Sequence, residues 1–216
     1  MKENAGVTDT SDQYDRELPT VTRNKDAVQG QAKIKDSTDD YLFPLGSMLN
    51  SSGRFTAEGQ RSYDKYLQLA LFFNAAGRTV EGLTGLIFRK PGVIELPEEL
   101  EYLRSNVDGS QTSLRSQMQS ATAESFPSIR SGLLVDFPDS KGRVSRADAE
   151  AMNLKPKILF FPFESIIKWN YETLNNQRRL NLVVIREKVK IKKDRFTIDE
   201  EWAYRVLELR AVDNNE

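Results

Sequence analysis

Between Phe73 and Lys90 an apolar run carries glycine at positions 77, 82 and 85. It continues a helical pattern in which Tyr66, Leu69, Ala70, Phe73 and Gly77 fall at i, i+3, i+4, i+7 and i+11. A glycine inside a helix costs about 0.5–1 kcal/mol relative to alanine. Three within nine residues do not suit a helix that only covers a core. They suit a place where a second backbone comes close, or where the helix ends and the chain turns. In the second case Gly77 is a C-cap after Ala76 and a new element runs from Arg78 to Phe88. Pro91 biases Lys90 away from helix. The run therefore reads as a junction built for contact. Gly77, Arg78, Gly82, Gly85, Phe88 and Arg89 are the candidate subunit-interface residues.

The strongest helix is expected over Thr56–Ala76, with Thr56 as N-cap and Glu58 in the first turn. Leu67, Leu71 and Phe72 widen its apolar stripe. Upstream, residues 1–13 are polar and without periodicity. Tyr14–Gly30 reads as a short helix interrupted at Leu18-Pro19, and 35–60 has loop composition long enough to wrap a neighbour. A short helix should follow Pro97, with Glu98, Glu99 and Glu101 in its first turn. Ser110 or Thr112 can cap a third helix to about Glu124, which Pro127 ends. Ser145 and Asp148 suit a capping box for a helix to Met152. Strands are expected at Leu133–Val135, Ile158–Phe161, Ile166–Tyr171, Leu180–Lys192 and Trp202–Leu209, with Asn175-Asn176 as a turn. The fold class is thus α+β, helices first and short antiparallel strands later.

The chain has 216 residues, net charge -1 and neither cysteine nor histidine. The net charge gives no global drive toward nucleic acid or an anionic membrane. The absence of cysteine and histidine excludes disulfides, thiolate metal sites and any histidine-dependent base, and nearly excludes zinc. No apolar run reaches the roughly 18 residues that span a bilayer, and the polar start is no secretory signal. No Gly-Lys-Ser or Gly-Lys-Thr phosphate loop occurs. Glu98, Glu99 and Glu101 look like a helix start rather than a buried acid pair. Asp136, Asp139 and Asp148 are too irregular for a calcium loop. The expectation is a protein that is not an enzyme and uses no cofactor, with a carboxylate-based hydrolase as the remaining enzymatic class.

One stretch is strongly basic. Arg178–Arg195 holds eight Lys or Arg against two acids. At period two Arg186, Lys188, Lys190 and Lys192 share one strand face. Such a row could follow a phosphate backbone without reading sequence. The favoured reading is a solvated face that pairs with Asp199-Glu200-Glu201 across a hairpin. No aromatic residue interleaves with the cations along the strand, which argues against a stacking groove for single strands.

The run from Asn74 to Lys90 resembles a segment of tailed-bacteriophage portal proteins. Further similar segments follow in the same order: Ile94-Glu95-Leu96-Pro97-Glu98, Asn106-Val107-Asp108-Gly109, Ser131–Pro138 and Phe161–Trp169. The resemblance covers residues 60–210. It departs at Phe126-Pro127-Ser128-Ile129, where the family runs a continuous helix into the Gly-Leu-Leu-Val-Asp strand. The resemblance implies a subunit of a closed ring of about twelve copies at one capsid vertex, assembled in the host cytoplasm and carried in the virion. Double-stranded DNA passes through such a ring, which also meets the major capsid protein, the terminase large subunit and head-completion or tail proteins. Family members are longer. The chain would then supply a mobile arm and loop (1–60), the helical part of the wing (61–130) and its β-rich part (131–216), ending before stem and clip. A nucleic-acid-binding accessory domain that forms no ring is the alternative.

Overall fold

The computed structural model describes residues 6–138, 145, 147–148, 152, 154–174 and 176–209. The fold is α+β: helices occupy the N-terminal half, and two antiparallel sheets follow. The chain divides into two compact units, Thr20–Pro91 and Met1–Pro19 with Gly92–Glu216. No helix among the described residues is long and apolar enough to cross a membrane.

Helix α1 runs over Asp12–Gln29, and the unit boundary falls inside it at Pro19. The expected interruption at Leu18-Pro19 does not occur. An interior proline loses one hydrogen bond and costs about 3 kcal/mol. Burial of Tyr14 before it and Val21 after it anchors both halves of the helix. Gly30, at φ 85, ends α1. Helix α2 then covers Gln31–Asp36.

The stretch read as loop is tied to its own unit. Single 3-10 turns form at Thr38–Asp40 and Gly46–Met48, and Leu49 bridges to Phe55. Tyr41 donates to buried Asp26 at 2.7 Å. Burial, then that bond to a carboxylate, raises the Tyr41 hydroxyl above its ordinary pKa. Helix α3, Ala57–Leu69, starts as expected, with Thr56 Oγ1 accepting from Gly59 N at 2.9 Å. Tyr63 is buried and donates to Leu42 O at 2.7 Å. The expected continuation to Ala76 is absent: α3 stops at Leu69, and helix α4 begins at Ala75 and runs to Ile87.

In the other unit, beyond the start of α1, a 3-10 helix forms at Glu98–Arg104, after Pro97 as expected. Helix α5, Leu114–Ser125, is capped by Ser113 rather than Ser110 or Thr112. Those two serve the turn instead. Asp108 accepts from Ser110 N at 2.7 Å and from Thr112 Oγ1 at 2.6 Å. Burial pushes the Asp108 carboxyl up, but these bonds outweigh it and hold it below the usual range. Where a helix is expected after Ser145, Asp148 N donates to Ser145 Oγ at 3.2 Å. Much of that segment, and the chain end from residue 210, lie outside the described residues.

Strands β1 (Gly132–Asp136) and β2 (Lys157–Phe161) form one antiparallel pair, with Leu134 opposite Leu159. Strands β3 (Ile166–Leu174), β4 (Gln177–Lys192) and β5 (Ile198–Glu208) form the second sheet in that order. Leu174 pairs with Gln177 across the first hairpin, where Asn176 takes φ 60. The core holds Tyr14, Val107, Phe161, Phe163, Ile167, Val184 and Ile185. The Tyr14 and Phe163 rings stack at 5.2 Å. The resembling segments 106–109, 131–138 and 161–169 all belong to this unit and supply its turn, β1 and core.

Candidate assembly surface

Helix α4 buries small residues and leaves larger apolar ones in solvent. Asn74 caps it, accepting from Gly77 N at 2.7 Å and donating to Val28 O at 2.9 Å. The buried positions are Gly77 and Thr84. The larger apolar residues Leu83, Leu86 and Ile87 are 41%, 67% and 57% exposed. Apolar side chains also stand in solvent where α3 gives way to α4: Leu69, Leu71 and Phe73 are all more than two thirds exposed. Apolar side chains exposed together along one helix and its approach suit a contact surface. The sequence held this signal in its composition but did not say which side of the helix faces out.

The glycines separate into two kinds. A Cβ on Gly77 would lie 2.7 Å from Val28 O and 2.5 Å from Asn74 Nδ2. Gly77 therefore serves packing inside its own unit. It is the third residue of α4, not a C-cap. A Cβ on Gly82 or Gly85 would meet nothing within 4 Å. These two glycines serve no packing among the described residues. Arg78 lies over the exposed Phe73 ring at 4.9 Å, Arg89 is exposed and Phe88 is half-buried.

The basic face is only partly free. Arg186 is half-buried, lies 4.7 Å over the Trp202 ring and donates to Glu164 O at 3.4 Å. Lys188 pairs with Glu200 at 3.1 Å. The register sets Lys190 opposite Glu200 and Lys192 opposite Ile198. Asp199 and Glu201 face Ile191 and Val189, on the other side of the sheet, and Lys193 pairs with Asp199. Aromatic residues absent along the basic strand arrive from its neighbour: Trp202 and Tyr204 stand opposite Lys188 and Arg186. Replacing Lys190 and Lys192 with Gln should leave duplex-DNA affinity and its salt slope unchanged. Stability should fall by less than about 1 kcal/mol. Titration at two salt concentrations checks this: tracked phosphates would lower the slope by about 0.9 per lost contact.

An arginine the sequence did not single out holds the other unit together. The Arg130 guanidinium lies 3.8 Å from the Trp169 ring centroid and 4.4 Å from that of Phe163, and it pairs with Glu17. Its local sequence, Ile129-Arg130-Ser131, carries no sign of this. Burial pushes the Glu17 carboxyl up, but hydrogen bonds from Gln13 and Arg130 outweigh it and hold it below the usual range. A second ionic cluster joins the two sheets: Arg205 donates to Asp136 at 3.0 Å and to Glu187 at 3.2 Å. Between the sheets lies a cavity of about 430 Å³, lined by Leu134, Phe161, Trp169, Val183 and Leu207, with Arg130 in its wall. Its lining contains no carboxylate and no lysine. No group of three or more acids that could hold a metal occurs among the described residues. Comparison with protein-family models and with curated proteins finds no match.

Proposed function

We propose that this chain is part of a ring-forming structural subunit of the tailed-phage portal kind. The observation that carries the reading is the outward apolar face of α4. Its leucines and isoleucine point to solvent while glycine and threonine point inward. Gly82 and Gly85 offer backbone that a neighbouring copy can approach closely. Such a face, paired with a different surface on the next copy, builds a closed ring by heterologous contacts. The ordered similar segments of the sequence give this ring its proposed identity. In that role it conducts DNA during packaging and ejection. It docks terminase, major capsid protein and head-completion or tail proteins at the capsid vertex of the virion. It is not an enzyme.

Light scattering and negative-stain imaging test the reading. The wild-type chain should give a ring-sized species, and a species that stays monomeric at high concentration counts against it. Gly82→Leu separates assembly from folding. The free chain has open space at this position, so its melting temperature should stay within a few degrees of wild type. In a ring the added side chain overpacks a close approach, at about 1–3 kcal/mol per contact, and the ring population should fall. Loss of folding together with intact rings in the surviving protein would reverse the assignment.

The exposed Lys190, Lys192 and Trp202 favour a second reading, a nucleic-acid-binding domain that forms no ring. A monomer whose DNA affinity falls steeply with salt is its signature.

A further inference from the structure

The break between α3 and α4 contains no residue that causes a break. Residues 70–74 are Ala, Leu, Phe, Phe and Asn, without proline or glycine. Alanine and leucine are among the best helix formers. Yet Ala70 sits at ψ 133, and the chain is non-helical until Ala75.

A second observation concerns phase. Gly59, Tyr63, Tyr66, Ala70, Phe73, Gly77, Val80 and Thr84 follow one another at alternating steps of four and three. This is an unbroken seven-residue repeat, the spacing of a packed helical seam. Gly59 and Tyr63 are buried on α3, and Gly77 and Thr84 are buried on α4. Tyr66, Ala70 and Val80 are half-buried. Only Phe73, inside the break, is exposed, at 73%. A five-residue non-helical link lets α4 take any rotation relative to α3. Nothing in the broken form requires the two buried faces to keep one repeat, but a single helix does.

The broken form is held by side chains. Asn74 caps α4 and donates to Val28 O. Gln31 Oε1 accepts from Phe72 N at 3.1 Å, and Lys35 Nζ donates to Gln68 O at 2.8 Å. The N–H groups of Leu71 and Phe73 have no acceptor among the described residues. In a continuous helix they would donate to Leu67 O and Leu69 O.

We infer that α3 and α4 are two halves of one helix over residues 57–87, broken in this state and able to close. Closure turns Phe73 into the seam and pairs the idle backbone groups. It happens when the exposed Leu69, Leu71 and Phe73 are covered by a second copy of the chain. That trigger rests on the ring reading, whereas the helix closure itself does not.

Amide hydrogen exchange at residues 71–74 tests the inference. In the free wild-type chain the Leu71 and Phe73 amides exchange fast. Asn74→Ala removes the cap and the tie to Val28, and Gln31→Ala removes the acceptor on Phe72. Either variant should slow exchange at Leu71 and Phe73 by about a hundredfold or more. Gln31→Ala serves if Asn74→Ala fails to fold. Leu71→Pro is the opposite lock. Residue 71 is 90% exposed, and the extended Ala70 suits a following proline. This variant should keep the wild-type melting temperature, stay unprotected throughout and fail to assemble. Assembled wild type should show the protection that the free chain lacks. Fast exchange in Asn74→Ala, Gln31→Ala and assembled wild type alike, or full assembly of Leu71→Pro, overturns the inference. If wild type never assembles, the ring reading fails, and the two alanine variants still decide whether the helix closes.

Discussion

Arg130→Ala should destabilise the unit that contains the sheets by about 3 kcal/mol, the low end for removing one partner of a buried ion pair. The pair is mostly covered, with side chains 20% and 18% exposed for Arg130 and Glu17. Two terms add. The guanidinium loses its places over Trp169 and Phe163, each worth up to about 2 kcal/mol when desolvated. Glu17 then keeps its burial without its cation. One term opposes: Nε and Nη2 of Arg130 are buried without partners, and deleting them relieves roughly 1–3 kcal/mol each. The net loss should lower the melting temperature by roughly 6–12 °C. Arg130→Lys should recover part of the loss, because it restores charge but not the flat stacking surface. A drop of less than 1 °C would show that the stack and ion pair do not outweigh the relief of the two buried nitrogens.

The same cluster sets a pH dependence. Glu17 is held below the usual carboxylate range. A carboxyl whose folded pKa is depressed stabilises the fold fully above its unfolded value. That contribution disappears as pH falls through the folded value. Wild-type stability should therefore decline from about pH 4.5 downward, and Glu17→Gln should flatten that part of the profile.

Gly59→Val should be at least as damaging in the other unit. Gly59 is the third residue of α3, and its N–H donates to Thr56 Oγ1. A Cβ there would lie 1.9 Å from Met48 O and 2.7 Å from Met48 C. These are backbone atoms, held by the bond from Thr56 N to Met48 O at 3.2 Å. They cannot step aside like the end of a flexible side chain. Either the first turn of α3 or the 46–56 segment must move, and Met48 loses its burial. Overpacking of this kind costs about 3 kcal/mol or more. Calorimetry should show the loss even for Gly59→Ala. Gly85→Ala makes a matched control: in open space it should stabilise the free chain by about 0.5–1 kcal/mol. Equal effects at 59 and 85 would mean that backbone entropy rather than contact decides.

Local chemistry announced several elements before any tertiary contact. Thr56 reads as an N-cap because a hydroxyl before an apolar-periodic run satisfies a free N–H, and it does so. The β1 to β5 segments were legible because apolar residues bounded by turn formers leave few other options, and Asn176 takes the left-handed conformation its turn needs. The pairing of the two strands was legible because a short link fixes which strands meet, but of the acids at 199–201 only Glu200 meets the cations of β4, and the register turns Asp199 and Glu201 to the opposite face. What sequence could not supply is the side of a helix that is buried. Periodicity tells which residues share a face, and α4 has two usable ones. Packing against Val28 admits only a glycine at 77, so the small face turns in and the leucines turn out. The break at Ala70–Asn74 likewise has no local cause: Gln31, Lys35 and Val28, more than 30 residues away, stabilise it. The same holds for Arg130, whose partners Glu17, Phe163 and Trp169 are spread over the chain. Propensities act within a few residues and amount to tenths of a kcal/mol each. Contacts between distant segments amount to several, and where the two conflict the distant contacts decide.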